Sequence, residues 1–310
     1  MSGGAVSLIV INYGTPGLVE QLLRSLADNP DRDRLHEIIL VDNGYPEKGD
    51  LRTLVDSARY PVPLQFIANR QHGYASGVNR GAAAATGTFL ALANSDVAWR
   101  SEPVLAPLQD ALEADPQAAA AGPQLLYEDG SWQRSFGGFP SVGEALRQVL
   151  LIETLRSLHR SRDRSRNARP VDALSGAFFL VRRAVFEDLK GFDESFEFYG
   201  EDIDFFRRLA GEGRRRLLVP AARLTHIHGA SSRQAAPIAY LRRQAEAQRR
   251  LVARWHGETA ARWYRRLLVL AAAELAVVYS IVSRVHPSAR WKQRAAGATN
   301  WLIALRSVGP

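Results

Sequence analysis

NRQHGYASGVNRGAAAATGTFLALANSD, residues 69–96, decides the fold. A polar, glycine-punctuated segment runs into an alanine-rich helix. A short apolar strand, Phe89 to Ala93, follows and ends in Asn94-Ser95-Asp96. In open α/β sheets the carboxyl edge of the strands is where ligands bind. Side chains alternate along an extended backbone, so Asn94 and Asp96 are expected to share a face while Ser95 points away. Two oxygen ligands on one face suit Mg²⁺ or Mn²⁺ already held by a diphosphate, because such ions take one or two protein carboxylates plus substrate phosphates. Taken alone, the triplet favours an ordinary polar turn, and its neighbours change that.

Working outward, the same texture repeats. VSLIVI, residues 6–11, predicts a first buried strand, and Pro16 to Ala27 a helix with Thr15 as N-cap. Strands are expected over 37–41, 64–68 and 88–93, with a helix over 50–58 and another over 77–86. Strands alternating with helices imply an α/β fold with a wound, largely parallel sheet flanked by helices. Helices over 103–114, 183–189 and 200–212 and strands over 119–126, 177–181, 216–219 and 222–228 complete the first 236 residues. Residues 156–169, with six arginines and one aspartate, read as a solvated loop. From Pro237 to the end the chain reads as helix. The expected division is therefore a catalytic domain over 1–236 and a basic helical appendage over 237–310.

The chain of 310 residues is 46% hydrophobic, enough for one sizeable α/β domain and an appendage. It contains no cysteine, which excludes disulfides, thiolate metal sites and a cysteine nucleophile. No secretory signal is expected, because the first apolar run is only six residues long and has no basic flank before it. The charge is uneven: residues 1–236 carry 27 Lys/Arg and 29 Asp/Glu, residues 237–310 carry 13 Lys/Arg and 3 Glu. The basic character belongs to the tail. With no nucleic-acid motif beside it, nucleic acid ranks last among its partners.

Four places carry chemistry. Asp42 closes the second strand inside VDNG, where its carboxylate can accept from a nucleotide base, although Asp-Asn-Gly alone is a common turn. GYASGVNRG, residues 73–81, is neither a dinucleotide fingerprint nor a P-loop, yet its glycines permit close approach to a diphosphate or ribose, with Asn79 toward the sheet edge. Glu201-Asp202-x-Asp204 opens a helix after an aromatic cluster, Phe192, Phe196, Phe198 and Tyr199, expected to form an acceptor surface. A carboxylate there can act as general base on a sugar hydroxyl, or can simply complement the helix dipole. His226-Ile227-His228 ends a strand with both imidazoles expected on one side. Two histidines are a weak metal signal alone, and with Asp96 they make a mixed N/O set.

In order and spacing, VSLIVINYGTP, EIILVDNG, GYASGVNRGAAAATGTFLALANSD, SGAFFLVRRAVFEDLKGFDESFEFYGEDIDFFRRL and HIHGASS resemble the family-2 inverting glycosyltransferases of the GT-A fold, and among them the rhamnosyltransferase-like group that builds cell-wall and surface polysaccharides. The resemblance covers residues 5–235. It implies a nucleoside-diphosphate sugar donor (dTDP- or UDP-sugar, with rhamnose one candidate) bound by Asn12, Asp42, Asn79, Asn94 and Asp96. It implies Mg²⁺ or Mn²⁺ on Asp96 and His226, with His228 a second candidate. Asp202, beside Glu201, is implied as the base that activates a hydroxyl of a glycan or polyprenyl-diphosphate-linked acceptor. Asn94 stands where the family has the first Asp of Asp-x-Asp, and Tyr45-Pro46 replaces its usual Ser-Thr.

Two rivals are a sugar-phosphate nucleotidyltransferase and a non-catalytic glycosyltransferase-like scaffold subunit. The first needs basic residues directly after the first strand, where NYGTPG has none. The second is disfavoured by Asp96, Asp202 and His226 occurring together. In the tail, Leu267 to Ser283 approaches the length of a membrane span but carries Glu274 at its middle. Arginines crowd the segment before it. That pattern predicts a helix lying in the headgroup layer, on the cytoplasmic face, and competes with packing on the catalytic domain or homodimer contact.

Overall fold

The computed structural model describes residues 4–44, 51, 62–69, 73–150, 167–196, 198–227 and 237–309. His228, Tyr45-Pro46, the helix expected over 50–58 apart from Leu51, and the arginine-rich run apart from 167–169 lie outside the described residues. The chain separates into two compact units: Met1–Phe139 with Arg164–Ser231, and Pro140–Asp163 with Ser232–Pro310.

The first unit is built on a nine-stranded sheet. Its strands are β1 (Val6–Asn12), β2 (Leu35–Asp42), β3 (Leu64–Ala68), β4 (Phe89–Asn94), β5 (Val97–Ala98), β6 (Ala118–Leu126), β8 (Arg169–Pro170), β10 (Phe178–Arg182) and β11 (Arg215–His226), while β7 (Phe136–Gly137) and β9 (Ala173–Leu174) form a separate two-stranded ladder. The order is β3-β2-β1-β4-β10-β6-β11-β5, with β8 beside β11. β3, β2, β1 and β4 pair in parallel, and β6 and β11 pair in parallel with each other. β10 runs antiparallel between β4 and β6 and joins the two halves. β1 is buried along its whole length, as expected of a parallel strand covered on both faces. The two strands expected over 216–219 and 222–228 are one, β11. Its register against β6 shifts between Val219 and Arg223, around Pro220, which has no N–H to donate to a ladder.

Helices cover both faces. α1 (Pro16–Ala27) starts at proline and buries Val19, Leu22, Leu23 and Leu26, a helical stripe. Thr15 does not cap it through its side chain, because that hydroxyl is turned toward Asn12 and Ser95. α2 (Tyr74–Ala84) starts three residues earlier than expected and packs on the sheet through small residues. A Cβ on Gly81 would land inside contact distance of Ile9 and Val41, so glycine here lets helix and sheet approach closely. α3 (Leu105–Ala114), α5 (Arg183–Asp188) and α6 (Glu201–Gly211) complete the unit. Two apolar clusters, one on each sheet face, form its core.

The second unit consists of α4 (Val142–Val149), α7 (Pro237–Val285) and α8 (Ala289–Ser307). α7 breaks at Gly257, whose φ of 83° belongs to the left-handed half of the map where glycine is at ease. The break folds the two halves together: Arg249 pairs with Glu258, and Tyr264 donates to Gln248. Ala145, Val252, Ala261, Leu268 and Leu305 share a small core. Outside it, Trp263, Leu270, Val277, Val278, Ile281 and Val285 are exposed along one helix.

One buried carboxylate organises a corner of the first unit. Asp31, in the short 3-10 helix Pro30–Arg34, accepts from the Trp99 indole N–H at 3.0 Å and from the backbone N–H groups of Val104 and Leu105 at 2.6 and 2.8 Å, capping α3 from far away in sequence. Asp31→Ala leaves these donors buried and unpaired. We expect it to lower stability by about 2–4 kcal/mol, read as a lower urea midpoint of tryptophan fluorescence.

Candidate active site

The parallel strands deliver their carboxyl ends to one edge. Register sets Asn12 beside Asp42 and Ile11 beside Asn94. Asn12 donates to Asp42 Oδ1 at 2.9 Å, and its own Oδ1 accepts from the Thr15 N–H and hydroxyl, both at 3.1 Å. The Thr15 hydroxyl in turn meets Ser95 Oγ at 2.8 Å. This chain of bonds orients the Asp42 carboxylate and fixes the Asn94–Asp96 turn against α1. Beside it, Asn69 donates to Asn43 Oδ1 and Ser76 Oγ at 2.7 and 3.0 Å, while Asn43 donates to Gly73 O at 3.1 Å. These amides hold the entry to α2 at the strand ends, a role that the sequence did not single out.

β4 ends at Asn94, and Ser95-Asp96 forms a turn into β5. β5 pairs antiparallel with the end of β11, His226 opposite Val97. The Ile227 N–H donates to Asp96 O at 2.9 Å. Asp96 and His226, far apart in sequence, thereby meet with Oδ1 and Nε2 3.3 Å apart, both side chains buried. His226 Nδ1 lies 2.7 Å from Gln133 Oε1.

A second acidic group stands at the start of α6. Tyr199 and Gly200 both have positive φ, 69° and 97°, immediately before Glu201-Asp202. Such a conformation at a tyrosine is strained, and strain of this kind collects where a backbone must be aimed. Asp202 accepts from the Ile203 N–H at 2.8 Å, and a Cβ added to Gly176 would sit 2.6 Å from Asp202 Oδ2. The Tyr74 hydroxyl donates to Gly176 O at 3.1 Å. Burial holds that phenol well above its ordinary range, and the charges of Glu201, Asp202 and Asp96 push it further, so the same neutral hydroxyl senses both acidic groups.

Burial, and then the charge of Asp202, push the Glu201 carboxyl up to about 8. Burial also raises Asp202, opposed by the N–H groups of Ile203, Asp202 itself and Gly176. Neighbouring carboxyls with unequal N–H support divide their roles, one holding a proton while the other carries the charge. The upward shift of Glu201 favours its protonated form, and its Oε2 makes no hydrogen bond.

Two expectations change. Asn79 is spent on the backbone of the Gly191 loop: it donates to Phe192 O and accepts from Phe192 N–H, both at 2.9 Å, and donates to Glu194. In this structure its amide is engaged in holding that loop. Arg208 clamps the same loop, donating to Leu189 O, Gly191 O and Asp204. Phe192 and Phe196 belong to the core, where Phe192 packs tilted or edge-on against Phe179, Phe186 and Phe205, so they are not an acceptor surface. Apolar side chains that close on each other leave nothing for a sugar. Phe198, edge-on to Tyr13 at 5.4 Å, is only half-buried.

A sequence model described as glycosyl transferase family 2 matches residues 7–190. The chain belongs to that family. It is 30% identical over 250 residues to an N-acetylglucosaminyl-diphospho-decaprenol L-rhamnosyltransferase of Mycobacterium tuberculosis, covering 76% of this chain and 79% of that one. It is 24% identical over 231 residues to a rhamnosyltransferase of Escherichia coli, covering 71% and 83%. Among solved structures it is similar to a mannosyltransferase from Pyrobaculum calidifontis in complex with GDP-Man and Mn²⁺. The TM-score there is 0.61 with 18% identity, over 98% of this chain and 86% of that one. The fold is GT-A, and the glycosyltransferase is an α/β enzyme with a C-terminal helical region.

Asp96 and His226 fit a divalent cation. Among the described residues no three acidic or histidine side chains converge on one point, yet Asp96 Oδ1 is buried without a hydrogen bond and faces an imidazole nitrogen. One carboxylate oxygen is a sufficient protein anchor for a cation that also takes diphosphate oxygens, and the imidazole nitrogen beside it is a further possible ligand.

Because Glu201 titrates higher folded than unfolded, its contribution to stability is present in full below about pH 4.5 and is lost as pH rises toward 8. Across pH 5 to 8 the thermal midpoint of the wild type should fall more steeply than that of Glu201→Gln, which has no proton to lose. Parallel melting curves check this.

Proposed function

We propose that this glycosyltransferase moves a sugar, rhamnose being the leading candidate, from a dTDP- or UDP-linked donor to a hydroxyl of a polyprenyl-diphosphate-linked glycan acceptor, with inversion and with Mg²⁺ or Mn²⁺, in cell-wall or surface polysaccharide synthesis. The observation that carries the reading is the Asp96–His226 pair set on the same edge as Asp202: the Asn94 N–H donates to Ala177 O, next to the Gly176 that the Asp202 carboxylate abuts. The name of the mycobacterial relative supports a rhamnosyl donor and a lipid-linked acceptor. The archaeal mannosyltransferase, solved in complex with GDP-Man and Mn²⁺, supports a nucleotide sugar and a metal.

Asp42, braced by Asn12, accepts from the nucleotide base. Asn94, Asp96 and His226 receive the diphosphate end, with the cation held by Asp96 and His226; His228 is a further candidate ligand. Bound there, the cation supplies positive charge to the departing nucleoside diphosphate. Asp202 removes the proton from the acceptor hydroxyl as its oxygen attacks the anomeric carbon opposite the leaving group. A single displacement inverts the configuration and leaves no covalent intermediate. Glu201, holding its proton, keeps a second negative charge away from the attacking oxygen and the leaving diphosphate.

Asp202→Asn keeps the shape of the side chain and removes the base. It should leave nucleotide binding in the presence of Mn²⁺ unchanged in calorimetry and cut transfer about a hundredfold or more. If Glu201→Gln abolishes transfer while Asp202→Asn retains it, the assignment of the base is wrong.

We assign the tail, 237–310, to contact with an anionic membrane surface on the cytoplasmic side, where a lipid-linked acceptor is met. By length and composition α7 could cross a membrane, but it carries Glu274 within its apolar stretch. Its exposed Leu270, Val277, Ile281 and Val285 follow a segment rich in arginine that carries Trp263, an arrangement suited to the headgroup layer. Each basic residue near such a surface contributes about 1 kcal/mol, and salt removes it. Full-length protein should co-sediment with phosphatidylglycerol vesicles at low salt and be only partly released at high salt. Protein that stays in the supernatant at low salt would instead point to helix packing or dimer contact for the same face.

A further inference from the structure

Gln133 lies in the aromatic, glycine-rich stretch DGSWQRSFGGFP, which no role yet absorbs. Its backbone is pinned to the end of β6. The N–H donates to Leu125 O at 3.0 Å, and the carbonyl accepts from Gln124 Nε2 at 2.8 Å and from Ser135 Oγ at 3.0 Å. Gln124 and Ser135 are themselves buried. A main chain held by three bonds gives its side chain a defined origin, and that side chain, 6% exposed, ends 2.7 Å from His226 Nδ1.

We propose that Gln133 is a positioning residue that sets the tautomer of His226 and through it the cation affinity of the Asp96–His226 pair. The inference rests on the metal-dependent reading above. With Gln133 Oε1 toward the ring, Nδ1 carries the proton and donates to it. The second nitrogen, Nε2, then presents its lone pair to Asp96 Oδ1 at 3.3 Å, an oxygen that makes no hydrogen bond. Two lone pairs facing each other in a buried site repel unless a positive charge lies between them. A ring N–H anchored on a carbonyl oxygen is how metal-binding imidazoles are oriented, and the loss of such an anchor costs tenfold to a hundredfold in metal affinity. The reverse arrangement, with the Gln133 amide donating to Nδ1 and Nε2–H donating to Asp96, satisfies the same atoms with no cation. The two differ in what Gln133 must be: an acceptor in the first, a donor in the second.

Gln133→Glu offers only acceptor oxygens when ionised, and Gln133→Leu offers neither donor nor acceptor. Mn²⁺ would be titrated into the full-length protein with saturating UDP and, separately, dTDP, following loss of the free-ion electron paramagnetic resonance signal. Circular dichroism and melting curves establish that each variant is folded. Gln133→Leu should bind Mn²⁺ about tenfold to a hundredfold more weakly than wild type, and Gln133→Glu should stay within about threefold of it. A folded Gln133→Leu that binds as wild type does, whatever its melting temperature, reduces Gln133 to a packing role and overturns the inference alone. Gln133→Glu as weak as Gln133→Leu makes Gln133 a donor and overturns it too. Wild-type protein that takes up no Mn²⁺ with either nucleotide sinks the metal-dependent reading, and this inference with it.

Discussion

The site depends on a very short ladder. β5 is two residues long, and its antiparallel pairing with the end of β11 sets His226 against Val97, one residue from Asp96. The Ile227 N–H on Asp96 O closes the register. Because side chains alternate along a strand, a slip of one residue would turn His226 to the opposite face and separate the pair. What holds the register is the rest of the sheet. β11 runs parallel to β6 over most of its length, and β10 ties β6 to β4. The nine-stranded sheet thus serves as a frame that brings two distant turns together.

Close approach is the second requirement, and small residues meet it. Gly81 lets α2 settle on Ile9 and Val41, and Gly77 leaves room for the Asn43 amide. Gly176 leaves room for the Asp202 carboxylate. At each place the space a Cβ would take is occupied by a side chain that the core or the site uses. The same closeness explains the electrostatics. Asp202, half-buried, is supported by backbone N–H groups, while burial and the charge of Asp202 push the neighbouring Glu201 carboxyl up to about 8.

The second unit solves a different problem. Its core is small, alanine-rich and shared among three helices. A long helix that spends alanines inward keeps its larger apolar residues for the outside, and α7 exposes Trp263, Leu270, Val277, Ile281 and Val285. Exposed apolar area of this kind, beside clustered arginines, marks a surface that meets something other than water.

The sequence alone determined the fold class, the seven longer strands, every α-helix but α4, and the placing of Asp42, Asp96 and Glu201-Asp202 at element ends; the two-residue strands β5, β7, β8 and β9 were not legible in it. It could do so because hydrophobic periodicity and strand-end polarity are local properties of the chain. Tertiary structure alone decided which polar side chains are available to a ligand. Asn79 occupies a glycine-rich helix that reads as a nucleotide pocket, and it is spent on the Phe192 backbone instead. Phe192 and Phe196 read as a sugar platform and are core. Gln133 and Tyr74 were given no role by the sequence, and the tertiary fold sets Gln133 against His226 and the Tyr74 hydroxyl on Gly176 O. Hydrogen-bond partners across a sheet are set by register and burial, which join residues more than ninety positions apart, and no local pattern in the chain records them.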